Sequence, residues 1–535
     1  MRKIGEMSRM SGLLEAARRN RLSRRQFMEG ALAMGLAIPV ASAIWSTDVA
    51  AATPKKGGTF RVGISDANTT DSLDPGTTVG IYMIQLNHAS RSYLTEITPT
   101  NKLGPDAAES WEASADAKEW RFKLYKGQEF HNGKSVTAAD VVASLNFHRG
   151  ADSKSGAKGL FLDVDDIKAD GDDTVVVSMK VGSADVPYIL SDYHLVILPS
   201  DGEGKIDWAS GTGSGPYKID SFQAGVSSSL SRFANYHRPS YFDGVHMLAV
   251  NDDSARVNAL VTKEVDAVSS VDLKTLQQLS RMPGILVDEV PSGNFVGMPM
   301  ECKTPPFDNV DVRLALKYAL DREQILKKIL FGHGTLGNDQ PIGPVVPYYA
   351  DLPQRAYDPD KARYHLKKAS AEGLSVALST SEAAFGGAID MAEVYQQSAL
   401  KAGINLNVVR EPADNYWSTV WQHKPFVVVN DGQRPTPDMM FSIFFREGAP
   451  WNDTNWHNDR FQKLLLAAKS ELDDTKRAAM YREMQLLCRD DGGTIVAFFN
   501  NRVYARHANV MHGPHISSEW ELDGARAYQR WWFAA

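Results

Sequence analysis

Cysteine and long apolar runs are both scarce in this chain. Among its 535 residues there are two cysteines, Cys302 and Cys488, and a chain of this length needs no disulfide framework to fold. The sequence leaves two alternatives for them, one Cys302–Cys488 bridge or two separate buried thiols. After residue 52 no stretch reaches the roughly 18 consecutive apolar residues of a membrane-spanning helix. We therefore expect the mature chain to be soluble and not to insert into a membrane.

The short motifs that mark enzymes and metal sites are also absent. The sequence contains no His-Glu-x-x-His, Gly-x-Ser-x-Gly, Gly-x-x-x-x-Gly-Lys-Ser/Thr or Cys-x-x-Cys. His507, His512 and His515 lie close together, but their spacing fits no helical face, which favours surface-loop histidines over metal ligands. The cluster "GTGSGPY" (Gly211–Tyr217) lacks the third glycine of a dinucleotide fingerprint and is typical of a turn. We therefore predict no catalytic residue, no metal site and no cofactor.

The chain as a whole has no excess of basic residues, although its N-terminus does. The formal net charge is −7, with 43% hydrophobic and 23% charged residues, as in ordinary globular proteins. Removing residues 1–52 takes away eight Lys/Arg and four Asp/Glu and leaves −11. An acidic surface argues against nucleic acid and anionic membranes as partners.

The N-terminal 52 residues have the composition of an export signal. Residues 1–25 hold eight basic residues and two acids, and they contain the pair Arg24-Arg25 followed by Phe27. A weakly apolar stretch, Gly30–Ala43, comes next, and small residues end the segment at Ala52. This order predicts a twin-arginine signal peptide cleaved after Ala52. The alternative is a basic amphipathic segment of a cytoplasmic protein.

The length predicts two or three domains, and the first 220 residues alternate between strand and turn patterns. Thr137 is a typical N-cap and Asp140 is an acid three residues later. Together they predict a helix that begins after Thr137 and runs to about His148. Strand patterns recur before and after it. They are Gly57–Ile64, Trp120–Lys134, "TVVVSMK" (Thr174–Lys180) and "YHLVILP" (Tyr193–Pro199).

From about residue 305 the pattern changes to alternating helices and strands. A long amphipathic helix or a helix pair is predicted over Asn309–Gly332, and Asp358 caps another helix. Further on, strand and helix patterns alternate as βαβαβ, which implies parallel strands with right-handed crossovers. These segments are Leu374–Thr380, Ala388–Lys401, Ile404–Arg410, Asp414–Gln422 and Phe426–Asn430, and a last helix follows over Asp474–Cys488.

The βαβαβ pattern directs attention to "GQRPTPD" (Gly432–Asp438). Ligands of open α/β sheets bind outside the carboxyl ends of the strands, and this segment follows such an end directly. Arg434 precedes a proline, which restricts it to an extended backbone and prepares its guanidinium for a carboxylate or phosphate. An internal ion pair with Asp431 or Asp438 is the alternative. At helical spacing, Trp417 and Trp421 are more typical of a core than of a ligand contact.

Taken together, several motifs resemble one known family. In chain order they are "GGTFRVGI", "SLDPGTT" (Ser72–Thr78), "EFHNGKSVTAADVVASLNF" (Glu129–Phe147), "GTGSGPY" and "PPFDNVDVRLALKYALDREQI" (Pro305–Ile325). As a set they resemble the periplasmic solute-binding proteins of ABC transporters in the oligopeptide/dipeptide-binding class, family 5 of the extracellular solute-binding proteins. The resemblance covers essentially all of the mature chain.

The resemblance implies an α/β, bilobal periplasmic-binding-protein fold with a two-strand hinge and an extra α+β domain, three sub-domains in all. The hinge strands would cross near residues 300 and 497, and ligand binding would close the two lobes. The implied ranges are 53–98, 212–303 and 498–535 for a discontinuous domain I, 99–211 for domain II and 304–497 for domain III.

The resemblance also implies where a ligand lies. Peptide-binding relatives hold it between a domain I loop, here Gly76–Gly80, and a domain III strand end, here Val429–Asp431. Relatives place an aspartate beyond that strand to pair with the peptide's α-ammonium, and this chain has Gln433 there. An amide cannot supply a full counter-charge, so we expect a cargo other than an ordinary peptide. The alternative is that Asp431 or Asp438, a few residues away, takes the place of that aspartate. The residues that we predict to bind the ligand are Thr77, Thr78, Gly80, Tyr82, Trp417, Asn430, Asp431, Gln433, Arg434 and Asp438.

We therefore expect a monomeric periplasmic substrate-binding subunit that is not an enzyme. It would capture a small polar organic solute, peptide-like or carboxylate-bearing, and deliver it to the transmembrane permease subunits of an ABC importer. Within this class, nickel-chelate, haem or sugar-derived ligands are alternatives, because the fold hosts many ligands. The alternative from another class is a twin-arginine-exported periplasmic enzyme with a cofactor.

Overall fold

The structure is a computed structural model that describes residues 54–150, 152–449 and 451–534. The predicted signal peptide, residues 1–52, lies outside the described residues. The strands, in chain order, are β1 (Thr59–Ile64), β2 (Thr95–Ile97), β3 (Leu103–Pro105), β4 (Ala108–Ala113), β5 (Glu119–Leu124), β6 (Val164–Ala169), β7 (Thr174–Met179), β8 (Tyr217–Gln223), β9 (Ser227–Arg232), β10 (Gly244–Ala249), β11 (Ala267–Val268), β12 (Ile285–Pro299), β13 (Gly334–Leu336), β14 (Ser375–Thr380), β15 (Asn405–Arg410), β16 (Val429–Asp431), β17 (Thr494–His507), β18 (Val510–Met511) and β19 (Trp532–Phe533).

The helices lie mostly in the second half of the chain. They are α1 (Ile81–Ser90), α2 (Ala138–Phe147), α3 (Val186–Ile189), α4 (Asp253–Val261), α5 (Leu273–Leu279), α6 (Val310–Ala319), α7 (Arg322–Lys328), α8 (Pro359–Lys368), α9 (Ala388–Lys401), α10 (Tyr416–Thr419), α11 (Pro437–Phe444), α12 (Asp459–Ser470), α13 (Asp474–Asp490), α14 (Glu521–Ala525) and α15 (Ala527–Arg530). Within the described ranges, no helix is long and apolar enough to cross a membrane.

A nine-stranded sheet connects the two ends of the molecule. Its strand order is β16-β12-β17-β11-β1-β10-β9-β8, and β13 pairs with β17 off this path. The long strands β12 and β17 are antiparallel from Ile285↔His507 to Pro299↔Thr494, with the register shifting between Pro291 and Phe295. These are the two strands that the resemblance implies as the hinge, and they connect the hydrophobic cores on either side.

The molecule has several separate hydrophobic cores, each on its own sheet or group of helices. One core packs around Phe60, Phe242 and Trp531 beside β1 and β10. Another, with Phe122 at its centre, covers the four-stranded sheet β4-β5-β7-β6. The segment between β12 and β17 has two cores of its own, one on β14 and β15 and one on α11, α12 and α13.

Most of the predicted elements are confirmed where a cap or a strict period marks them. The capping box of Thr137 and Asp140 is present at the start of α2, and α9 has the predicted bounds. The segment Asn309–Gly332 is a helix pair, α6 and α7. Two strand predictions were too long, because Trp120–Lys134 is a strand only as far as Leu124, and Tyr193–Pro199 makes a single bridge between Ile197 and Ser92.

The βαβαβ prediction is confirmed in its first half and only in part in its second, where the third strand meets β14 at a single parallel bridge. Strands β14 and β15 are parallel with α9 between them. The predicted helix Asp414–Gln422 shrinks to α10, because Asn415 and Gln422 both have positive φ, 62° and 60°, and interrupt it at each end. The third strand touches β14 only through a bridge from Val427, and β16 then pairs antiparallel with β12.

The two cysteines are free, so the alternative of a disulfide does not hold in this structure. The Cys302 thiol donates to the main-chain oxygen of Met300 at 3.4 Å, and burial raises its pKa to about 11. Cys488 is buried among the residues of α12 and α13. Both behave as small apolar side chains.

Candidate functional site

The segment Gly432–Asp438 leaves the end of β16 and is held first through Gln433. The Gly293 N–H donates to Gln433 Oε1 at 2.7 Å, and the Gln433 N–H donates to Asn294 Oδ1 at 2.7 Å. Ser518 Oγ lies 3.4 Å from the same Oε1. The side-chain oxygen of Gln433 is therefore occupied by hinge and C-terminal residues, and this side chain has a positioning role for the loop.

Arg434 comes next, and its guanidinium has no carboxylate partner. Its Nη1 donates to the main-chain oxygens of Gly432 and Gln433 at 3.2 and 3.1 Å. The guanidinium carbon lies 5.6 Å from the ring centroid of Phe444 and 5.9 Å from that of Trp451. No ion pair of Arg434 occurs among the described side chains, so the alternative of an internal pair with Asp431 or Asp438 does not hold here. Stacking thus fixes the cation while leaving most of its donors free.

Two carboxyl groups stand near this cation at the end of β16. Asp431 is half-buried and has no side-chain hydrogen bond within the described part of the chain, whereas Asp453 Oδ2 accepts from Trp421 Nε1 at 3.0 Å. Burial raises the pKa of Asp453 to about 7. Burial and the neighbouring Asp453 also raise the pKa of Asp431 well above its usual range, while Arg434 acts in the opposite direction. Both carboxyls therefore hold a proton to higher pH than an ordinary aspartate does.

Three tryptophans form an aromatic surface beside these charges. The centroids of Trp417 and Trp421 are 6.0 Å apart and those of Trp421 and Trp451 5.9 Å apart, with the ring planes near perpendicular. Trp417 and Trp451 are each 43% exposed. Trp417 is therefore not the core residue that its helical spacing favours. Large exposed aromatic surfaces of this kind are typical of recognition sites.

The opposite side of the site comes from two distant segments that the sequence did not identify. Tyr193 and Trp520 meet edge to face with ring centroids 5.1 Å apart. Tyr193 and Asp192 are both within electrostatic range of Arg434. Glu519 precedes Trp520, and its carboxyl is within range of Asp192. No local motif marks these residues, because more than 300 positions separate Tyr193 from Trp520.

The predicted residues of the first loop lie elsewhere. Tyr82 is fully buried in the core beside β1, and its hydroxyl shares a hydrogen bond with Ser228 at 2.7 Å. Thr78 is buried and accepts from Asn87 at 3.0 Å. Gly80 has φ +78°, and a Cβ there would lie 2.6 Å from the Asp66 main-chain oxygen. These three residues have structural roles, so we leave them out of the site, and Thr77 is exposed on the surface.

The last two predicted residues are divided between the site and the interior. Asn430 is exposed and accepts from Asn500 Nδ2 at 3.3 Å, close to Asp431. Asp438 is buried with no hydrogen bond to Oδ1, and burial, with Asp185, raises its pKa to about 7. Asp438 therefore belongs to a buried contact behind the site and not to its surface.

Two lobes connected by a two-strand hinge, with charged and aromatic side chains gathered where the lobes meet, define a solute-binding protein of the bilobal type. The chain belongs to the bacterial extracellular solute-binding proteins, family 5, because the model for the middle region of that family matches residues 102–453. The expectation from the sequence motifs is thereby confirmed.

Individual relatives match this chain over most of their own length, but with low sequence identity. The dipeptide-binding protein of Escherichia coli K12 is 24% identical over 434 residues, 74% of this chain and 81% of that protein. The periplasmic binding protein DppA of Helicobacter pylori, solved with the peptide STSA, has a TM-score of 0.71 at 21% identity and covers 90% of this chain and 99% of its own. The binding protein AgaA of A. tumefaciens R10, solved with agropinic acid, has a TM-score of 0.71 at 22% identity and covers 89% and 99%.

Proposed function

We propose that this chain is the periplasmic substrate-binding subunit of an ABC importer and not an exported enzyme. It captures a small polar organic solute between its two lobes and presents it to the permease. The family is solute-binding, and relatives of the same fold carry the names of a dipeptide-binding protein and of proteins solved with a peptide and with agropinic acid. A cargo of this size with a charged group suits the site described above.

Arg434 is the observation that carries the proposal about the site. Burial lowers the pKa of Arg434, and a half-buried guanidinium with no carboxylate partner among the described residues favours a ligand that pairs with it. Stacking on Phe444 and Trp451 holds it in place, and its planar fork matches a carboxylate with two parallel hydrogen bonds. In this proposal Arg434 binds an acidic group of the solute, Asp431 accepts a hydrogen bond beside it, and Trp417 covers its apolar part.

The lobes and the export signal complete the proposal. We assign domain I to residues 53–98, 212–303 and 498–535, domain II to 99–211 and domain III to 304–497. This division agrees with the separate cores on the corresponding sheets. Residues 1–52 are proposed to direct twin-arginine export, and the intact mass of the exported protein tests cleavage after Ala52.

An affinity measurement on Arg434 variants tests the role of this residue. The solute is identified by mass spectrometry of material released from natively purified protein, and its affinity is measured by isothermal titration calorimetry. Arg434→Ala should weaken binding by at least about tenfold, because a charge-assisted pair is lost, and change the free energy of unfolding by less than about 1 kcal/mol. Arg434→Lys should recover part of the affinity, since it keeps the charge but loses the fork.

A nearby exposed arginine supplies the control. Arg446 lies on the surface after α11, and Arg446→Ala should leave the affinity unchanged. Equal affinities for the wild type and Arg434→Ala would remove Arg434 from the site. A purified protein that carries no solute, and that no small solute stabilises, would contradict the solute-binding proposal as a whole.

A further inference from the structure

The loop of residues 517–521 on domain I is fixed by its main chain. The Ser518 N–H donates to Asn101 Oδ1 at 2.9 Å. Arg502 on β17 donates from Nε to the Ser518 oxygen and from Nη2 to the Glu519 oxygen, each at 2.7 Å. Contacts from two distant segments thus hold the backbone of Glu519 in one position, which is what a binding residue on a loop requires.

The side chain of Glu519, in contrast, has no partner. Its carboxyl makes no hydrogen bond and no ion pair with any side chain in the described ranges. Burial, reinforced by Asp192, raises the pKa of Glu519 to about 8. The three arginines within electrostatic range each hold another carboxylate: Arg502 with Glu521 at 2.5 Å, Arg526 with Asp106 at 2.7 Å and Arg530 with Asp523 at 3.1 Å. The residues that the structure describes therefore supply no donor to this carboxyl.

Unused acceptors continue into a cavity beside the same loop. Glu521 Oε2 and Asn501 Oδ1 are both buried and accept no hydrogen bond. Both residues line a cavity of about 230 Å³ together with Asn294 and Asn500. Buried acceptors normally find donors, so this side of the site has an excess of acceptors that a ligand's N–H groups would satisfy.

We infer that Glu519 binds a cationic, hydrogen-bond-donating group of the solute, an ammonium or a guanidinium, on the lobe opposite Arg434. This inference rests on the proposed function, because it concerns the same cleft. Trp520 and Tyr193, in edge-to-face contact beside Glu519, offer ring faces that attract a cation. The solute then lies with its anionic end on domain III and its cationic end on domain I. This orientation is the reverse of the one implied for peptide-binding relatives. In those relatives an aspartate of domain III, at the position of Gln433 here, holds the ammonium.

Matched pairs of solutes test the charge of the cargo. Thermal shift and calorimetry on the full mature chain compare L-arginine with L-citrulline and Nα-acetyl-L-arginine, L-lysine with Nε-acetyl-L-lysine and Nα-acetyl-L-lysine, and glycylglycine with N-acetylglycylglycine. Each derivative lacks one cationic group of its parent, and a co-purified solute joins the panel with its N-acylated form. For one cationic group of a solute that binds, the parent should bind at least about tenfold more tightly than the derivative that lacks this group, and Glu519→Gln should abolish this difference.

The outcomes separate this inference from the proposed function. A bound solute whose derivatives, lacking each cationic group in turn, all bind as tightly as the parent would overturn the role of Glu519 while leaving solute binding intact. A Glu519→Gln variant with unchanged affinity would do the same. If no solute co-purifies and no member of the panel stabilises the protein, the proposed function fails, and this inference fails with it.

A second measurement on ligand-stripped protein does not depend on the solute. Because the pKa of Glu519 is raised in the folded state, this carboxyl binds its proton more tightly in the folded protein than in the unfolded chain between about pH 4.5 and 8. The contribution of Glu519 to stability must therefore fall as the pH rises through this window. Glu519→Gln removes the cost, so it should melt above the wild type at pH 8, with a smaller difference at pH 5.

The neighbouring Glu521 is the matched control. It pairs with Arg502, so Glu521→Gln should lower the melting temperature at pH 8, because an arginine loses its partner. A Glu519→Gln variant that also melts below the wild type at pH 8 would show that Glu519 stabilises the fold, and it would overturn the inference.

Discussion

Residues only a few positions apart in Gly432–Asp438 have different environments. The Gln433 side chain bonds to the hinge strand, the Arg434 guanidinium has no carboxylate partner, and Asp438 is buried beside Asp185. The local sequence predicted a ligand-facing loop here but not which of its side chains face the ligand. That distinction depends on what packs against each side chain, and for Gln433 and Asp438 the partners Gly293 and Asp185 are more than a hundred residues away.

The buried carboxyl of Asp438 predicts a pH-dependent gain in stability on substitution. Its pKa of about 7 lies above the ordinary value, so the folded state retains a proton that the unfolded chain releases, and stability falls as the pH rises from about 4 to 7. Asp438→Asn removes this loss and should stabilise the protein by on the order of 1–3 kcal/mol at pH 8, and by less at pH 5. Urea unfolding at the two pH values measures the difference.

An exposed aspartate gives the comparison for Asp438. Asp360 is 87% exposed in its side chain at the start of α8, and Asp360→Asn should change stability by less than about 0.5 kcal/mol at either pH. Equal effects of the two substitutions at pH 5 and pH 8 would show that Asp438 is ionised without cost in the folded protein.

At the scale of elements, the turn "GTGSGPY" meets the end of α1 at very short range. A Cβ built on Gly213 would lie 2.1 Å from the Ser90 main-chain oxygen, and one on Gly215 would lie 2.4 Å from the Arg91 nitrogen. These glycines are therefore required by the close approach of two backbones and not by nucleotide binding. The sequence predicted the turn correctly, but the neighbour that makes it tight became visible only in the fold.

This contact predicts a large effect for a small substitution. Gly213→Ala should destabilise the protein by about 2 kcal/mol or more, because the clash is with backbone and cannot be relieved by a side-chain rotation. The control is Gly159→Ala, where a Cβ meets nothing within 4 Å, and it should lie within about 0.5 kcal/mol of the wild type. Thermal unfolding of both variants measures these changes in stability. A small loss of stability in Gly213→Ala would mean that the turn can move away from α1.

Elements were predictable where their signals are local. The capping box at Thr137 and the stop at Gly403 mark α2 and α9, because caps satisfy the free amides and carbonyls of a helix within a few residues. The helix predicted over Asp414–Gln422 failed, because its two ends take up left-handed conformations that the period of apolar residues does not encode. The pairing of β16 with β12 was missed because strand partners are chosen by tertiary packing.

At the scale of the whole molecule, a buried ion pair away from β12 and β17 connects the proposed domains II and III. Asp185 is 1% exposed and accepts from Arg477 and from Thr436, and Arg477 is 3% exposed. A second pair, Lys469 with Asp163, lies next to it. Since Thr436 belongs to the same segment as Arg434, we expect this contact to couple closure of the proposed lobes to the position of Arg434.

We expect the molecule to be more open when the Asp185–Arg477 pair is broken. Arg477→Met leaves the Asp185 carboxylate buried and unpaired, at a cost of about 3 kcal/mol, so the closed arrangement should be less populated. Small-angle X-ray scattering should show a larger radius of gyration, and the affinity for the solute should fall by at least about tenfold. The double variant Asp185→Asn, Arg477→Met should recover part of both.

The surface pair of Arg460 and Glu483 serves as the control for Arg477. Arg460 has a 59% exposed side chain, and Arg460→Ala should alter neither the radius of gyration nor the affinity, because exposed pairs contribute little. An Arg477→Met variant with the compactness and affinity of the wild type would show that the pair does not hold the lobes together.

The sequence by itself determined the type of most elements, the family and the segment on which to look for the ligand. These properties follow from caps, periodicity and ordered motifs, which are written in neighbouring residues. Only the tertiary structure decided that Gln433 is occupied, that Tyr82 is buried, and that Tyr193, more than 200 positions away in the chain, lies near Arg434 and against Trp520. Burial, hydrogen-bond partners and the pKa of a carboxyl are set by distances between remote parts of the chain, so no local pattern can specify them.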